Sequence, residues 1–324
     1  MKRIGKNISV ILIISLCITW LTGCGKTVVL PYAAMTDNSS FKLLMDSASK
    51  AQTFASNLCV GDSNVPLQEY DIEQVGAAGL FDLNNAEVVY ASNMHQKLYP
   101  ASLTKLMTAF VAIKYGSLDQ VMTATNAVYI DEPGAVICGL KAGDKMTLEQ
   151  ALHLLLIRSG NDVANLIAEN ISGSVEDFVA LMNEEASKLG ATNSHFMNPH
   201  GLHDTDHYTT VYDLYLIFKE VVKYEAVNQI IGMTSYSTTY TNKYGSSKSI
   251  SVNTTNAYFT KNYVSPENVT ILGGKTGTTD EAGNCLGLYA KDVSGNPYIA
   301  IVLKGNSKDD LYTQMKQLLE QVYK

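Results

Sequence analysis

Charge is scarce in this chain, cysteine is scarcer, and there is a single tryptophan; each shortage excludes a class of protein. Charged residues make up 17% of the 324 residues, and the formal net charge is −7. Lys2, Arg3 and Lys6 are the only charges in residues 1–23, so the remainder carries −7 − 3 = −10. A body that acidic is no nucleic-acid binder, because phosphate contacts need clustered Lys and Arg. Only Cys59, Cys138 and Cys285 lie beyond the N-terminal segment. They permit at most one disulfide, so the fold is no disulfide scaffold, and their spacing matches no zinc pattern. All three are expected to act as buried small hydrophobes. A hydrophobic content of 46% is that of an ordinary globular protein, with neither disorder nor a repeat.

The first residues read as an address. Lys2, Arg3 and Lys6 form a positive stretch, and Ile8 to Leu21 is an apolar run too short to span and anchor comfortably. It ends Leu21-Thr22-Gly23-Cys24, which resembles a bacterial lipobox. That resemblance implies cleavage after residue 23 and a lipid on Cys24, holding the protein on the outer face of the cytoplasmic membrane. The alternative is a plain secretory signal in which Cys24 is incidental. Either way Trp20 leaves with the leader.

Residues 24–75 are expected to be a tether and a peripheral segment with a helix over Phe41–Phe54, and residues 76–324 the folded domain. Ala78–Phe81 and Val88–Tyr90 read as a hairpin around Asp82-Leu83-Asn84-Asn85. Pro100 precedes a helix whose apolar face runs through Leu103, Leu106, Met107, Phe110, Val111 and Ile113. Thr147 to Gln150 is a capping box, and its helix breaks at Arg158 to Asp162 and resumes at Val163. A helix starts at Ser174 and stops at Gly190; a His/Asn/Asp-rich loop follows over Thr192–Tyr208, then a helix over Val211–Lys223. The last third turns to strands at Tyr236–Tyr244, at Val269 into Gly277, at Leu286–Ala290 and at Tyr298–Leu303. Ser307 caps a final amphipathic helix. Strands at both ends with helices between them predict an α+β domain with an antiparallel sheet covered by the terminal helix.

Three short elements carry chemistry. Ser102 and Lys105 place a hydroxyl and an amine one helical turn apart, so an unprotonated lysine can take the serine proton. Ser159-Gly160-Asn161, in the helix break, offers a hydroxyl for proton passage and an amide for a substrate carbonyl or N–H. Lys275-Thr276-Gly277 lies on a strand where glycine leaves room for a substrate backbone. Lys275 and Thr276 can receive a carboxylate, and the N–H groups of Ser102 and Thr278 can form an oxyanion hole. The order S-x-x-K, S-x-N, K-T-G is that of penicillin-binding proteins and serine β-lactamases.

A narrower resemblance is to the low-molecular-mass penicillin-binding proteins that act as serine D-Ala-D-Ala carboxypeptidases. It rests on Tyr99–Lys105, Leu156–Asp162, Asn198–Leu202 with His207-Tyr208, and Lys275–Gly283. It implies a penicillin-binding transpeptidase-like fold, peptidoglycan stem peptides as substrate and β-lactams as covalent inhibitors, with no cofactor. Ser102 would be the nucleophile, Lys105 its base, Ser159 the proton relay and Asn161 a clamp. Lys275, Thr276, Gly277 and Thr278 would hold the terminal carboxylate and line the oxyanion site. Many relatives add a second β-rich domain and a C-terminal amphipathic anchor, whereas here Cys24 stands in for the anchor. Some also place an arginine near the exit of the last strand, where this chain offers Lys304 and Lys308. A class A β-lactamase would need a glutamate after the S-x-N element, and none lies between Glu185 and Glu220. Two further readings are a metal site at His200, His203, Asp204, Asp206 and His207, and a non-catalytic penicillin-binding sensor.

Overall fold

The computed structural model describes residues 57–66, 75–260 and 262–323. The leader, Cys24 and the helix expected over Phe41–Phe54 lie outside the described residues. The hairpin is formed by β1 (Ala77–Asp82) and β2 (Glu87–Ser92). Asp82 closes its turn, accepting the N–H groups of Asn84 and Asn85 at 2.8 and 2.9 Å. A 3₁₀ turn at Ala101–Leu103 leads into α1 (Thr104–Tyr115), followed by short strands β3 (Val121–Thr123) and β4 (Lys145–Thr147). Then come α2 (Leu148–His153), α3 (Asn161–Ser172), α4 (Val175–Lys188), α5 (Val211–Val221) and α6 (Glu225–Ile231). The chain ends with β5 (Ser235–Thr241), β6 (Ser247–Asn253), β7 (Thr270–Thr279), β8 (Gly283–Lys291), β9 (Pro297–Gly305) and α7 (Lys308–Leu319).

The main sheet is antiparallel throughout, in the order β2-β1-β9-β8-β7, so first and last strands pair at its centre and β7 is an edge. Central β9 is buried on both faces, which is why Tyr298–Leu303 is a continuous apolar run rather than an alternation. On one face Leu311, Tyr312, Met315 and Leu318 of α7 pack on Leu80, Leu286, Leu288 and Val302. Ser307 caps that helix as expected, its Oγ accepting the Asp310 N–H at 3.1 Å. The other face holds Phe81, Ile299, Ile301 and Leu303 against the helical layer, and the Phe81 ring stacks on Tyr215 of α5 at 4.2 Å. The α+β class, the antiparallel sheet and its terminal helix match the expectation.

Several local features differ. The capping box at Thr147 and Gln150 is present, but α2 continues as a π-helical turn over Leu154–Arg158. The break is only Ser159-Gly160, so α3 begins at Asn161, two residues before the expected Val163. A second antiparallel sheet, β3-β4-β5-β6, was not anticipated, nor was α6. Strands β3 and β4 are three residues each, and β5 and β6 alternate Ser or Thr with only a few apolar residues, so neither pair presents the continuous apolar run that marks the main sheet. The strand expected to reach Tyr244 ends at Thr241, where Asn242 Oδ1 accepts the N–H groups of Tyr244 and Ser246. Cys59 and Cys285 are buried, Cys138 is only half-buried, and all three are free thiols. Among the described residues no helix is long and apolar enough to cross a membrane.

Glu185 ties α4 to the end of α1. Its side chain is wholly buried and accepts hydrogen bonds from Lys114, from Tyr115 Oη at 2.6 Å and from Lys188 at 2.8 Å. Burial pushes its pKa up, but those three donors outweigh it and hold the carboxyl at about 2. A folded pKa below the ordinary glutamate value of 4.5 stabilises the fold fully above that pH, and the contribution fades as pH falls toward 2. Glu185→Gln should lower the unfolding free energy at pH 7 by about 2–3 kcal/mol, less than for a fully dry pair because Lys114 is part-exposed. In urea titrations the gap to wild type should close as pH drops from 4.5 toward 2; a gap independent of pH would contradict this.

Candidate active site

Ser102 sits in the 3₁₀ turn after Pro100, and Lys105 lies in the first turn of α1 with no exposed surface. Lys105 Nζ is 2.9 Å from Ser102 Oγ, 2.7 Å from Asn161 Oδ1 and 2.5 Å from the His200 carbonyl oxygen. Burial, and next the charge of Lys275, hold the Lys105 pKa well below that of a free lysine. A neutral amine has two hydrogens and one lone pair. Asn161 Oδ1 and His200 O can only accept, so they take both hydrogens and leave the lone pair toward Ser102 Oγ. The geometry suits a base better than a cation.

Ser159 closes the opposite side. It is left-handed, with φ 71°, and ends the π-helical turn so that Asn161 can restart the helix. Its Oγ accepts from Lys275 Nζ at 3.0 Å, and Lys275 also donates to the Thr276 carbonyl at 2.8 Å. Burial pushes Lys275 down to about 7. Asn161 N–H donates to Val136 O at 2.8 Å. Asp162, itself buried, accepts the N–H groups of Cys138, Gly139 and Leu140 at 2.8 to 3.1 Å. The loop over Val136–Leu140 is thereby pinned to the start of α3.

All eight predicted site positions other than Cys24 are in one place. Ser102, Ser159, Thr276, Gly277 and Thr278 line a cleft of about 240 Å³ with Thr255 and Lys308, and Lys105, Asn161 and Lys275 form its buried floor. At Gly277 the expectation needs correcting. A Cβ there would lie 2.8 Å from Ser102 N and 3.0 Å from Ala101 Cβ. Glycine is required by contact between the strand and the serine turn, not by a substrate backbone alone.

The His-rich loop does structural work on that turn. His207 Nδ1 accepts the Met197 N–H at 3.1 Å, which leaves Nε2 to meet Thr104 Oγ1 at 2.8 Å, and Thr104 in turn bonds Ala101 O at 2.8 Å. His200 Nδ1 accepts the Leu202 N–H at 3.2 Å. Desolvation lowers the pKa of His207 to about 4 and that of His200 to about 3, so both rings are neutral near pH 7. A Cβ on Gly201 would fall 1.9 Å from Ala101 O. Sequence reasoning missed the His200 carbonyl, the Asp162 anchor and Thr255, whose Oγ1 is 2.5 Å from Thr276 Oγ1. Only the quoted Asn198–Leu202 stretch hinted at the first. Of the two candidate lysines, Lys308 lines the cleft and Lys304 lines a different cavity.

The D-alanyl-D-alanine carboxypeptidase family model matches residues 66–307, about three-quarters of the chain. The chain belongs to this family. Among curated members it is 34% identical over 251 residues to D-alanyl-D-alanine carboxypeptidase DacF of Bacillus subtilis, covering 75% of this chain and 61% of that protein. It is 29% identical over 282 residues to DacD of Escherichia coli, covering 83% and 69%. The chain thus spans about three-fifths to two-thirds of the length of these family members. The fold matches that of the Streptomyces K15 DD-transpeptidase with TM-score 0.71 at 24% identity, over 77% of this chain and 97% of the other. The expected penicillin-binding, transpeptidase-like architecture is therefore present.

The left-handed backbone at Ser159 predicts a separable stability effect. Ser159→Gly and Ser159→Ala both remove the hydroxyl that Lys275 donates to, but only glycine adopts φ 71° without strain. The glycine variant should be more stable than the alanine variant by about 1 kcal/mol. Equal melting temperatures would show that the turn carries no strain.

Proposed function

We propose that the chain is a serine D-Ala-D-Ala carboxypeptidase that removes the terminal D-Ala from peptidoglycan stem pentapeptides through an acyl-serine intermediate, and that β-lactams acylate the same serine. The observation that carries this is Lys105 Nζ, buried and 2.9 Å from Ser102 Oγ, with its other two partners both acceptors.

Peptide enters along the open edge of β7. Its terminal carboxylate lies at Thr276 and Thr278 with Lys275 beneath. Lys308, the first residue of α7, adds a second cation, and the helix N-terminus adds positive potential. Lys105 takes the Ser102 proton as Oγ attacks the carbonyl carbon between the last two residues. The N–H groups of Ser102 and Thr278 receive the oxyanion, and the short approach at Gly277 brings those two segments together. Asn161 clamps the acyl half. The proton passes through Ser159 to the leaving amine, the C–N bond breaks, and D-Ala departs. Water then attacks the ester with Lys105 again as base. Without a glutamate between Glu185 and Glu220, the acyl-enzyme formed from penicillin turns over slowly.

In the same reading residues 1–23 are a lipoprotein signal, 24–75 a tether beginning at a lipidated Cys24, and 76–324 the catalytic domain. The enzyme then acts outside the cytoplasmic membrane, on cell wall.

Mass spectrometry of the protein incubated with penicillin should find one adduct, on Ser102, absent from Ser102→Ala. Release of D-Ala from a stem pentapeptide should vanish in the same variant. Rapid steady-state cephalosporin hydrolysis would instead indicate a β-lactamase, and an adduct without any D-Ala release a sensor.

The pH dependence follows from the two lysines. Lys105 must be neutral, so the acylation rate rises with pH through its depressed pKa. Lys275 must stay charged to hold carboxylate, so the rate falls as it deprotonates, from about 7 in the free chain and higher once a carboxylate is bound. Because Lys275 pushes Lys105 down, the rising limb lies on the acid side. Second-order acylation rates should trace a bell; a flat profile from pH 6 to 10 would contradict both assignments.

A further inference from the structure

A second cavity, of about 320 Å³, lies behind the serine turn and is not used by the steps above. It is lined by Lys97, Tyr99, Thr205, Tyr208, Glu281 and Lys304, among others. It shares a wall with the cleft: Tyr99 lines the cavity, and its carbonyl takes the Sγ of Cys285, which lines the cleft. We propose that this cavity binds a carboxylate borne on a side chain of the acyl half of the substrate. The inference rests on the carboxypeptidase reading and deepens it.

Charge is the first argument. Lys97 and Lys304 both reach this cavity, both are exposed, and neither is in an ion pair among the described residues. Lys97 Nζ instead sits 4.3 Å over the Tyr208 ring. The one acid on the wall, Glu281, has its Oε2 3.8 Å from His203 Nδ1. Two cations therefore face one acid, and an anionic ligand completes the balance.

Backbone is the second. Lys304 has φ 59°, a conformation a lysine adopts at a cost of about 1–2 kcal/mol. The β8–β9 register moves from Asn284 opposite Gly305 to Leu286 opposite Val302, so Cys285 faces both Leu303 and Lys304. This is a bulge, and it lets Leu303 stay buried while Lys304 reaches the cavity. A glycine or asparagine would hold the bulge with less strain and without the charge. Strain kept at an exposed lysine points to a ligand.

Direction is the third. With the terminal carboxylate at Thr276 and the reacting carbonyl at Ser102, the rest of the peptide runs past Thr278 toward the end of β7. The chain then turns, and Glu281 and Ala282 on that turn line the second cavity. A long side chain on the residue before D-Ala-D-Ala can pass Tyr99 and end there. Its carboxylate meets Lys97 and Lys304, its methylene groups lie against Tyr99 and Tyr208, and Thr205 offers a hydroxyl.

The test uses two peptides, N-acetyl-L-2-aminopimelyl-D-Ala-D-Ala, whose side chain ends in a carboxylate, and its ω-amide. The full chain should cleave the first with a kcat/KM about ten-fold higher, and the ratio should shrink as salt is raised. Lys97→Gln and Lys304→Asn should each cut the ratio several-fold, asparagine being chosen because it tolerates the left-handed backbone. Cleavage of the amide and the rate of penicillin acylation should not change. Equal rates on the two peptides with wild type, or variants that slow both peptides alike, would overturn the proposal while leaving the carboxypeptidase reading intact. No D-Ala release from either peptide would instead sink that reading and this inference with it.

Discussion

Everything in this fold answers to the burial of one amine. Lys105 has no exposed surface, and a charged lysine there would forfeit hydration worth several kcal/mol. The structure resolves the cost by favouring the neutral form, and it gives that form two acceptors and one hydroxyl. Those partners come from three separate places: the turn before α1, the first residue of α3, and the loop at His200. The amine is placed correctly only when all three pack together. Lys275 repeats the logic from the sheet side, buried and bonded to Ser159, and its charge helps keep Lys105 neutral.

That requirement explains the crowded surroundings. The serine turn is wedged between β7 and the His-rich loop, touching the first at Gly277 and the second at Gly201, where no side chain could fit. Thr104 and His207 lock the turn from below, and Thr108 Oγ1 donates to Pro199 O at 2.6 Å from the same helix. The sheet, packed on both faces, and the helical layer form the scaffold on which these short segments meet. Two of the five positive-φ non-glycine residues among the described residues, Ala101 and Ser159, lie at this site. Strain of that kind survives only where surrounding packing over-determines the backbone.

Most of the architecture was legible because it rests on local chemistry. The hairpin turn at Asp82, the capping box at Thr147, the caps at Ser174 and Ser307 and the stop at Gly190 all use side chains that bond backbone within a few residues. The central strands announced themselves through continuous apolar runs. The second sheet did not, because β5 and β6 are held by their hairpin partners more than by burial, and β3 and β4 are too short to show a period. The helix break was read three residues too long: Arg158 still belongs to the π-helical turn, and Asn161, which looks like a loop former, opens the next helix together with Asp162.

Sequence alone determined which groups are available for chemistry: a serine and lysine one turn apart, a Ser-Gly-Asn break, a Lys-Thr-Gly strand, and no glutamate between Glu185 and Glu220. Spacing along a helix or strand is set by backbone geometry, so such local pairs can be read directly. Only the tertiary structure decided which distant groups complete them. The His200 carbonyl lies 95 residues from Lys105, and a backbone oxygen has no letter of its own in a sequence. The choice of Lys308 over Lys304 for the cleft is likewise tertiary, because a single-residue bulge in β9 carries one lysine away while the cap of α7 brings the other in.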